Sequence, residues 1–600
     1  MDDHAGVEQP LLGNNHHRFG AREHDDAYAR RVATAAPSVE PEDAEDAAST
    51  DTTSSPFDSE TQTGVQLADA VNLVWTKHAL VLVYCFIFLN FFINSLEAQT
   101  SSNLIPYVVS NFSAHALIPA VSITSQILGG VLKLPIAKLI DTWGRPQGLL
   151  VATVFGTVGL IMLSWCRDVK TYAAAQIFHT IGFNGVQYIL DIIIADTSSL
   201  QDRALAFAFA NSPFILTTFV GPVAAKWFLR HSSWRVSFAL FAVLTPLVAA
   251  PVFIILQANA RKAKDLGVVH YKRPERTWQK SIHHYLVEFD AMGIVLAASG
   301  LTLFLLPFSI AGSAGSKWSS PLILGMLLLG CVLIGAFVLF EHYCAPKPFV
   351  PFQLLLSRNV MGAFVLSAVF FISYYCWDGY YTSYLQVVHQ LSVAEAGYVA
   401  SIFTIGTCLS GLVVGWLVRR TDRFKSLALA AVPVHALGGG LMIFFRQPHT
   451  PVLYVILCQV LISAGGGVLV ITHQMAAMAV AKHGEVASLL ALLGLSSAVG
   501  AAIGSSVSGA IWTNTVYVEL VQRLPDDAKH LAKLIYEDLE RQLSYPVGDP
   551  VREALMQAYG IAQRRMVIAG LAMSLIALPS VMVWKDIRVS QIKQVKGRVL

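Results

Sequence analysis

Charge is scarce in this sequence. Only 14% of its 600 residues are Asp, Glu, Lys or Arg, against 54% hydrophobic, and the mean hydropathy is +0.55. A soluble chain of this length needs extensive water-facing surface, and so little charge excludes it. The net charge is +3 and the basic residues are scattered among short connections, which excludes a nucleic-acid-binding face. Seven cysteines (Cys85, Cys166, Cys331, Cys344, Cys376, Cys408, Cys458) lie singly in or beside apolar runs, with no C-x-x-C pair and no metal-ligand spacing. They read as packing residues, and no metal or other cofactor is expected. There is no G-x-x-x-x-G-K-S/T loop to hold nucleotide phosphates, so direct use of ATP is excluded and no enzyme activity is expected. A basic segment followed by a short apolar core is also missing from the N-terminus, which leaves the first long apolar run as the insertion signal.

What the chain has is long apolar runs. Residues 1–70 are rich in Asp, Glu, Ser, Thr, Ala and His and cannot bury enough surface to fold, so a disordered cytosolic tail is expected. Beyond it, runs long enough to cross ~30 Å of hydrocarbon at ~1.5 Å per residue fall near 80–97, 117–136, 148–166, 172–195, 204–229, 236–256, 290–311, 321–342, 361–384, 394–417, 426–445, 452–480, 486–513 and 563–584, fourteen in all. Basic residues concentrate in alternate connections (Lys138 and Arg145; Arg203; Arg261 to Lys280; Arg419 to Lys425; Lys585 to Arg598), which puts both termini in the cytosol.

The connection after the second run, Ala137 to Gly148, reads AKLIDTWGRPQG. Leu139, Asp141, Gly144 and Arg145 match the loop that major facilitator transporters carry between their second and third helices, G-x-L-x-D-x-x-G-R-R/K; Ala137 and Pro146 depart from it. The resemblance implies a conformational hinge at Asp141, Gly144 and Arg145. A weaker copy, GWLVRRTDRFK, follows the tenth run at Gly415 to Lys425, with Arg419 where the acid would stand. If it marks the second helix of a repeat, the fold is an all-α polytopic membrane protein of six plus two plus six helices, duplicated as transporters are to form two rocking halves. The expected divisions are a six-helix bundle at 71–256, a basic cytosolic linker at 257–289, two inserted helices at 290–342, a second six-helix bundle at 343–584 with an outer loop at 514–562, and a cytosolic tail at 585–600.

Polar groups inside lipid are costly and therefore mark sites or helix contacts. Asn90, Asn94, Glu97 and Ser101 recur at four-three-four spacing on one face of the first run, and Thr180, Asn184, Gln187 and Asp191 repeat the arrangement in the fourth. Both faces are expected to point into a cavity. Tyr374, Trp377, Asp378, Tyr381 and Tyr384 cluster in the ninth run, offering flat apolar area and hydroxyl donors for a large ligand; an aromatic belt is the competing reading. Substrate contacts are expected from Asn90, Asn94, Asn184, Gln187, Tyr374, Trp377, Tyr381 and Tyr384, and proton coupling from Glu97, Asp191 and Asp378. Lys133, Lys226 and Glu341 lie near enough to run ends to snorkel.

The segment Ile192 to Pro213, IIIADTSSLQDRALAFAFANSP, carries Asp196, Thr197, Ser198, Leu200 and Arg203. It resembles the D-T-S/T-x-L-x-x-R segment of the fungal siderophore iron transporters, as do SSWRVSFALFAV, YLQVVHQLSVAEAGYVASI and IWTNTVYVELVQRLP further on. The resemblance covers about Trp75 to the last run. It implies gradient-driven import of ferric siderophores, by proton symport, through a monomeric protein of the plasma membrane, with endosomal or vacuolar membranes as alternatives. It also adds Asp196 and Arg203 to the hinge. A drug-proton antiporter of the same fold is the rival; of the antiporter fifth-helix pattern only Gly221 and Pro222 are present. A membrane sensor that transports nothing is the other rival, weighed against by the hinge motif and the polar faces. Asn111-Phe112-Ser113 is an acceptor sequon facing outside. In the loop before the last run, Leu531, Leu534, Ile535, Leu539 and Leu543 predict an amphipathic helix within 524–543 that, with Tyr536, Tyr545 and Tyr559, either closes over the outer mouth as a lid or serves as a structural cap.

Overall fold

A computed structural model describes residues 63–112, 118–266, 278–311, 319–346, 356–481 and 485–592. Fourteen helices among them are long and apolar enough to cross a membrane: Lys77–Asn111, Ile118–Trp143, Arg145–Trp165, Val169–Thr197, Leu200–His231, Trp234–Asp265, Ala291–Ile310, Pro321–Tyr343, Arg358–His389, Val393–Thr421, Lys425–Phe445, Val452–Met478, Val486–Arg523 and Pro550–Met582. They are numbered below as spans one to fourteen. Most ends extend beyond the apolar runs. The first span continues through polar residues to Asn111, and the thirteenth to Arg523, because their polar turns are buried against other helices and not against lipid.

The connection expected at 514–562 therefore shrinks to 524–549. It holds no single amphipathic helix; instead a 3₁₀ turn (Lys529–Leu531) and two short helices (Ala532–Glu537 and Leu539–Ser544) meet at Asp538, whose carboxylate accepts from the backbone N–H groups of Glu540 and Arg541. Ile535 and Leu539 are buried as the spacing predicts, but Leu534 is exposed. Asn111 is exposed as the last residue of the first span; Ser113, most of the N-terminal tail and the middle of the basic linker lie outside the described residues. Residues 63–70 do not belong to a loose tail: an entry helix, Thr63–Val74, packs on the second, fourth and sixth spans. The expected linker is likewise reduced, since the sixth span runs to Asp265 and a short helix occupies Trp278–Glu288.

Spans one to six pack mainly among themselves, as do nine to fourteen. The two groups meet where the second span crosses the thirteenth and the fifth crosses the tenth. Counted within each group, these are second-to-fifth and fifth-to-second contacts, the pairing that a duplicated six-helix unit produces. Small residues allow the approach: a Cβ on Gly130 would lie 2.3 Å from the Ala498 Cβ, and one on Gly415 would lie 2.9 Å from the Leu205 backbone. The seventh and eighth spans pair with each other, and the eighth is mostly exposed, as a lipid-facing helix should be.

Candidate functional site

The ends of the bundle differ. One, here the hinge end, carries the connection between the second and third spans; the other, the loop end, carries residues 524–549. At the hinge end Gly144 has φ +106°, a conformation few other residues adopt, and it starts the third span immediately after the second. That sharp turn aims Arg145 back: Nη1 lies 3.0 Å from Asp141 Oδ1 and donates to the Ile140 carbonyl, while Nε lies 3.0 Å from Asp196 Oδ2 at the end of the fourth span. The guanidinium thus ties three spans of one half. Asn72 of the entry helix donates to the Asp196 carbonyl, and Arg203 donates to the carbonyls of Ala195 and Ser198. All five residues expected at the hinge therefore cluster there. In the weaker second copy, Arg419 reaches across to Asp202 of the other half at 3.1 Å, which accounts for a base where the first copy has an acid.

Between the halves lies a cavity of about 630 Å³, within the range of small-molecule sites (roughly 300–1,000 Å³). Of the polar faces read from the sequence, Glu97, Ser101, Thr180, Asn184, Gln187 and Asp191 line it. Across from them stand Tyr374, Tyr375 and Asp378 of the ninth span and His473 of the twelfth. Tyr374 and Asp378 stand one turn apart in the same wall, and Gln126 donates to the Tyr375 hydroxyl at 3.1 Å. Glu97 Oε1 accepts from Ser101 Oγ at 2.6 Å, and its other oxygen lies 3.4 Å from His179 Nε2. Towards the hinge end, Lys133 and Asp191 form an opposed pair of charges in the cavity wall.

Other expected contacts are not in that wall. Asn90 donates to the carbonyls of Phe86 and Val248, which binds the first span to the sixth, and Asn94 sits behind Glu97 in a small side void. Four-three-four spacing fixes a face, but the first span is crowded on much of its circumference and only the last two positions meet the cavity. Trp377, Tyr381 and Tyr384 also turn away. The ninth span breaks at Gly379–Tyr380, between helices ending at Asp378 and resuming at Tyr381, and the break rotates the later rings out of register. They surround the buried guanidinium of Arg446, whose central carbon is 5.0, 4.1 and 5.2 Å from the Trp377, Tyr381 and Tyr384 ring centres. Neither an aromatic belt nor a binding wall describes them; they form a cation cage. Tyr380 stacks on Trp512 at 3.7 Å, and Tyr536 and Tyr559 pack on the same indole. The Tyr559 hydroxyl is spent on Gln542, and Tyr545 is half-buried beside the cluster, so these rings face the loop's own core and not the cavity.

Lys133 is no snorkel: it lines the cavity, with Nζ close enough to Gly494 of the other half that an added Cβ would lie 2.9 Å away. Glu341 is buried as well. Sequence reading missed His179. The signal was present, since Tyr172, Gln176 and His179 continue the fourth-span stripe by two turns at helical spacing.

The halves touch at both ends of the cavity. At the loop end the Tyr107 hydroxyl bonds to the Gln386 side chain, and the backbone N–H of Leu539 donates to Ser110 Oγ. At the hinge end the Tyr188 hydroxyl donates to the Ala487 carbonyl at 2.7 Å, and Arg419 meets Asp202. A site closed on two sides by separate contacts can open on one while shut on the other.

Two halves around such a site define a polytopic secondary transporter, and the sequence profile described as Major Facilitator Superfamily matches residues 87–505. A solved bacterial homologue of the human lysosomal transporter Spinster, inward-facing and unoccupied, shares the fold at a TM-score of 0.50 and 12% identity, covering 85% of this chain and 98% of that one. Among curated relatives, MFS siderochrome iron transporter 1 of Ajellomyces capsulatus is 46% identical over 540 residues, 90% of this chain and 92% of the relative. MFS siderochrome iron transporter D of Aspergillus fumigatus is 44% identical over 539 residues, 90% of each chain. The chain belongs to the siderophore iron transporter family of the Major Facilitator Superfamily.

Proposed function

We propose that this protein imports ferric siderophores across a membrane by alternating access of its two six-helix halves, driven by proton symport. The observation that carries the reading is the central cavity, whose wall combines amides, tyrosines and three carboxylates between separate closures at each end. Asn184, Gln187 and Tyr374 supply hydrogen bonds and ring area to a large ligand rich in carbonyl and amide groups. Glu97, Asp191 and Asp378 are the proton-coupling candidates. A ferric siderophore brings its iron already coordinated, so the protein recognises the organic shell and the iron is cargo.

The pairing of the spans supports a six-helix bundle, an inserted pair and a second six-helix bundle, the divisions proposed at 71–256, 290–342 and 343–584. The hinge end is taken as cytosolic because the basic residues gather there, and the short helices of 524–549 lie over the outer mouth. The plasma membrane is the expected location, and a monomer the expected form. The Asp141–Arg145–Asp196 cluster holds spans two to four as one body, so it governs which end opens without touching the ligand.

Uptake of a radio-iron-labelled ferric trihydroxamate by cells lacking their own siderophore uptake tests the function. Expression of this chain is expected to restore energy-dependent accumulation. If it confers drug resistance and no iron accumulation, antiport replaces import.

A further inference from the structure

We propose that His179 and Glu97 act as one proton-carrying dyad in the wall of the cavity, with His179 as the group that gains and loses the proton. The inference rests on the symport reading and names the residue that performs it.

Three observations converge on the pair. The Glu97 carboxylate is 2% exposed and occupied on both sides, by Ser101 Oγ at 2.6 Å and His179 Nε2 at 3.4 Å. The second distance is within ion-pair reach yet longer than the ~2.7–3.2 Å of a settled N–H···O bond, so a proton on Nε2 draws the groups together. His179 has little room to retreat, because the third span presses on its backbone: a Cβ on Gly159 would lie 2.2 Å from the His179 nitrogen. The pair lines the cavity, and His179, with 13% of its side chain exposed against 3% for Glu97, is the member that water and ligand reach.

The other titratable groups of the wall are engaged differently. Asp191 has Lys133 opposite, and Asp378 stands among the rings of Tyr374 and Tyr375. Tyr172, two turns from His179 on the same helix, accepts from Gln176, and His473 Nδ1 is taken by the Leu469 carbonyl. Among the three acids, Glu97 alone is paired with a side chain that ordinarily titrates between pH ~5 and ~8. The step is a proton transfer only: hydronium in the open cavity gives its proton to the imidazole and becomes water, forming imidazolium beside carboxylate, and water at the opposite face takes the proton back as hydronium after the halves rock. Both residues belong to one half, so the proton does not lock the halves together. It sets the charge of the wall against which the ligand packs.

The test uses the full chain in proteoliposomes with a radio-iron-labelled ferric trihydroxamate. Accumulation under an imposed inward proton gradient is compared with exchange at equal pH and ligand on both sides. His179→Gln is expected to lose gradient-driven accumulation by about tenfold or more while exchange falls by less than about threefold. A wild-type protein indifferent to the gradient overturns symport itself. A coupled wild type with an equally coupled His179→Gln overturns the dyad and leaves symport standing, and loss of both readouts overturns it in favour of a structural histidine. If His179→Gln fails to reach the membrane, proton uptake on ligand binding by purified wild type and Glu97→Gln decides: identical uptake refutes the dyad, and an uptake at least halved supports it.

Discussion

Arg552, at the start of the fourteenth span, is 3% exposed and donates from all three guanidinium nitrogens: Nε to the Val387 carbonyl at 3.0 Å, Nη2 to Gln386 at 3.1 Å and Nη1 to Gln542 at 2.8 Å. Two of those carbonyls end the ninth span and the third belongs to the short helix of the loop. Arg552→Ala removes three charge-assisted bonds at once, each worth roughly 1.5–3 kcal/mol when the partner carbonyl is left buried. The alanine also vacates space at the bundle's end, where water can enter and re-solvate part of what is lost, so a net loss of about 3–5 kcal/mol is the expected size. Because 1.4 kcal/mol is about tenfold in a population, the detached state of residues 524–549 should become roughly 10²- to 4 × 10³-fold more frequent. Limited proteolysis reads this directly, since cleavage follows the population of the open form when reclosing is fast. Cleavage within 524–549 should accelerate accordingly, and Arg552→Lys, whose single ammonium cannot serve three carbonyls in one plane, should fall between the two. Unchanged cleavage in a normally expressed Arg552→Ala would refute the reasoning.

Replacing 528–548 with a Gly/Ser linker should raise the apparent KM sharply or abolish uptake with surface expression intact; unaltered kinetics would make the loop a packing element only. Arg145→Ala leaves Asp141 and Asp196 facing each other, at a cost of about 3–5 kcal/mol, and should slow maximal uptake while the protein still reaches the membrane; a normal maximal rate tells against the hinge. In a cysteine-free background, Ser426→Cys should be protected from an impermeant thiol reagent added outside and Asp526→Cys should react, since the two lie at opposite ends of the bundle; the reverse pattern inverts the orientation.

The helix count was readable because hydropathy needs only length and apolarity, whereas helix ends were not, because Gln99 to Ser110 and Thr513 to Gln522 are polar turns made helical by neighbours that hydropathy cannot see. The hinge was legible since Asp141, Gly144 and Arg145 interact within one turn of chain. The cavity was legible on the fourth span, which stays regular across it, and only in part on the ninth, where the break after Asp378 shifts the register. Arg446 reads as a loop cation; its cage exists only once the end of the eleventh span brings it to the rings of the ninth. Lys133 looked like a snorkelling residue because the second span has an interruption at Leu132 that the sequence does not announce.

The seventh span touches both halves along a single line. It packs on the second and thirteenth spans, the Leu305 carbonyl accepts from Ser506, and Ser309 fits against Gly509 so closely that a Cβ there would lie 2.5 Å from its hydroxyl oxygen. Nothing equivalent covers the crossing of the fifth and tenth spans among the described residues. The molecule is therefore built like a bound book, with a spine glued across one seam and a free fore-edge at the other. Rocking between halves should be wider at the fore-edge than at the spine.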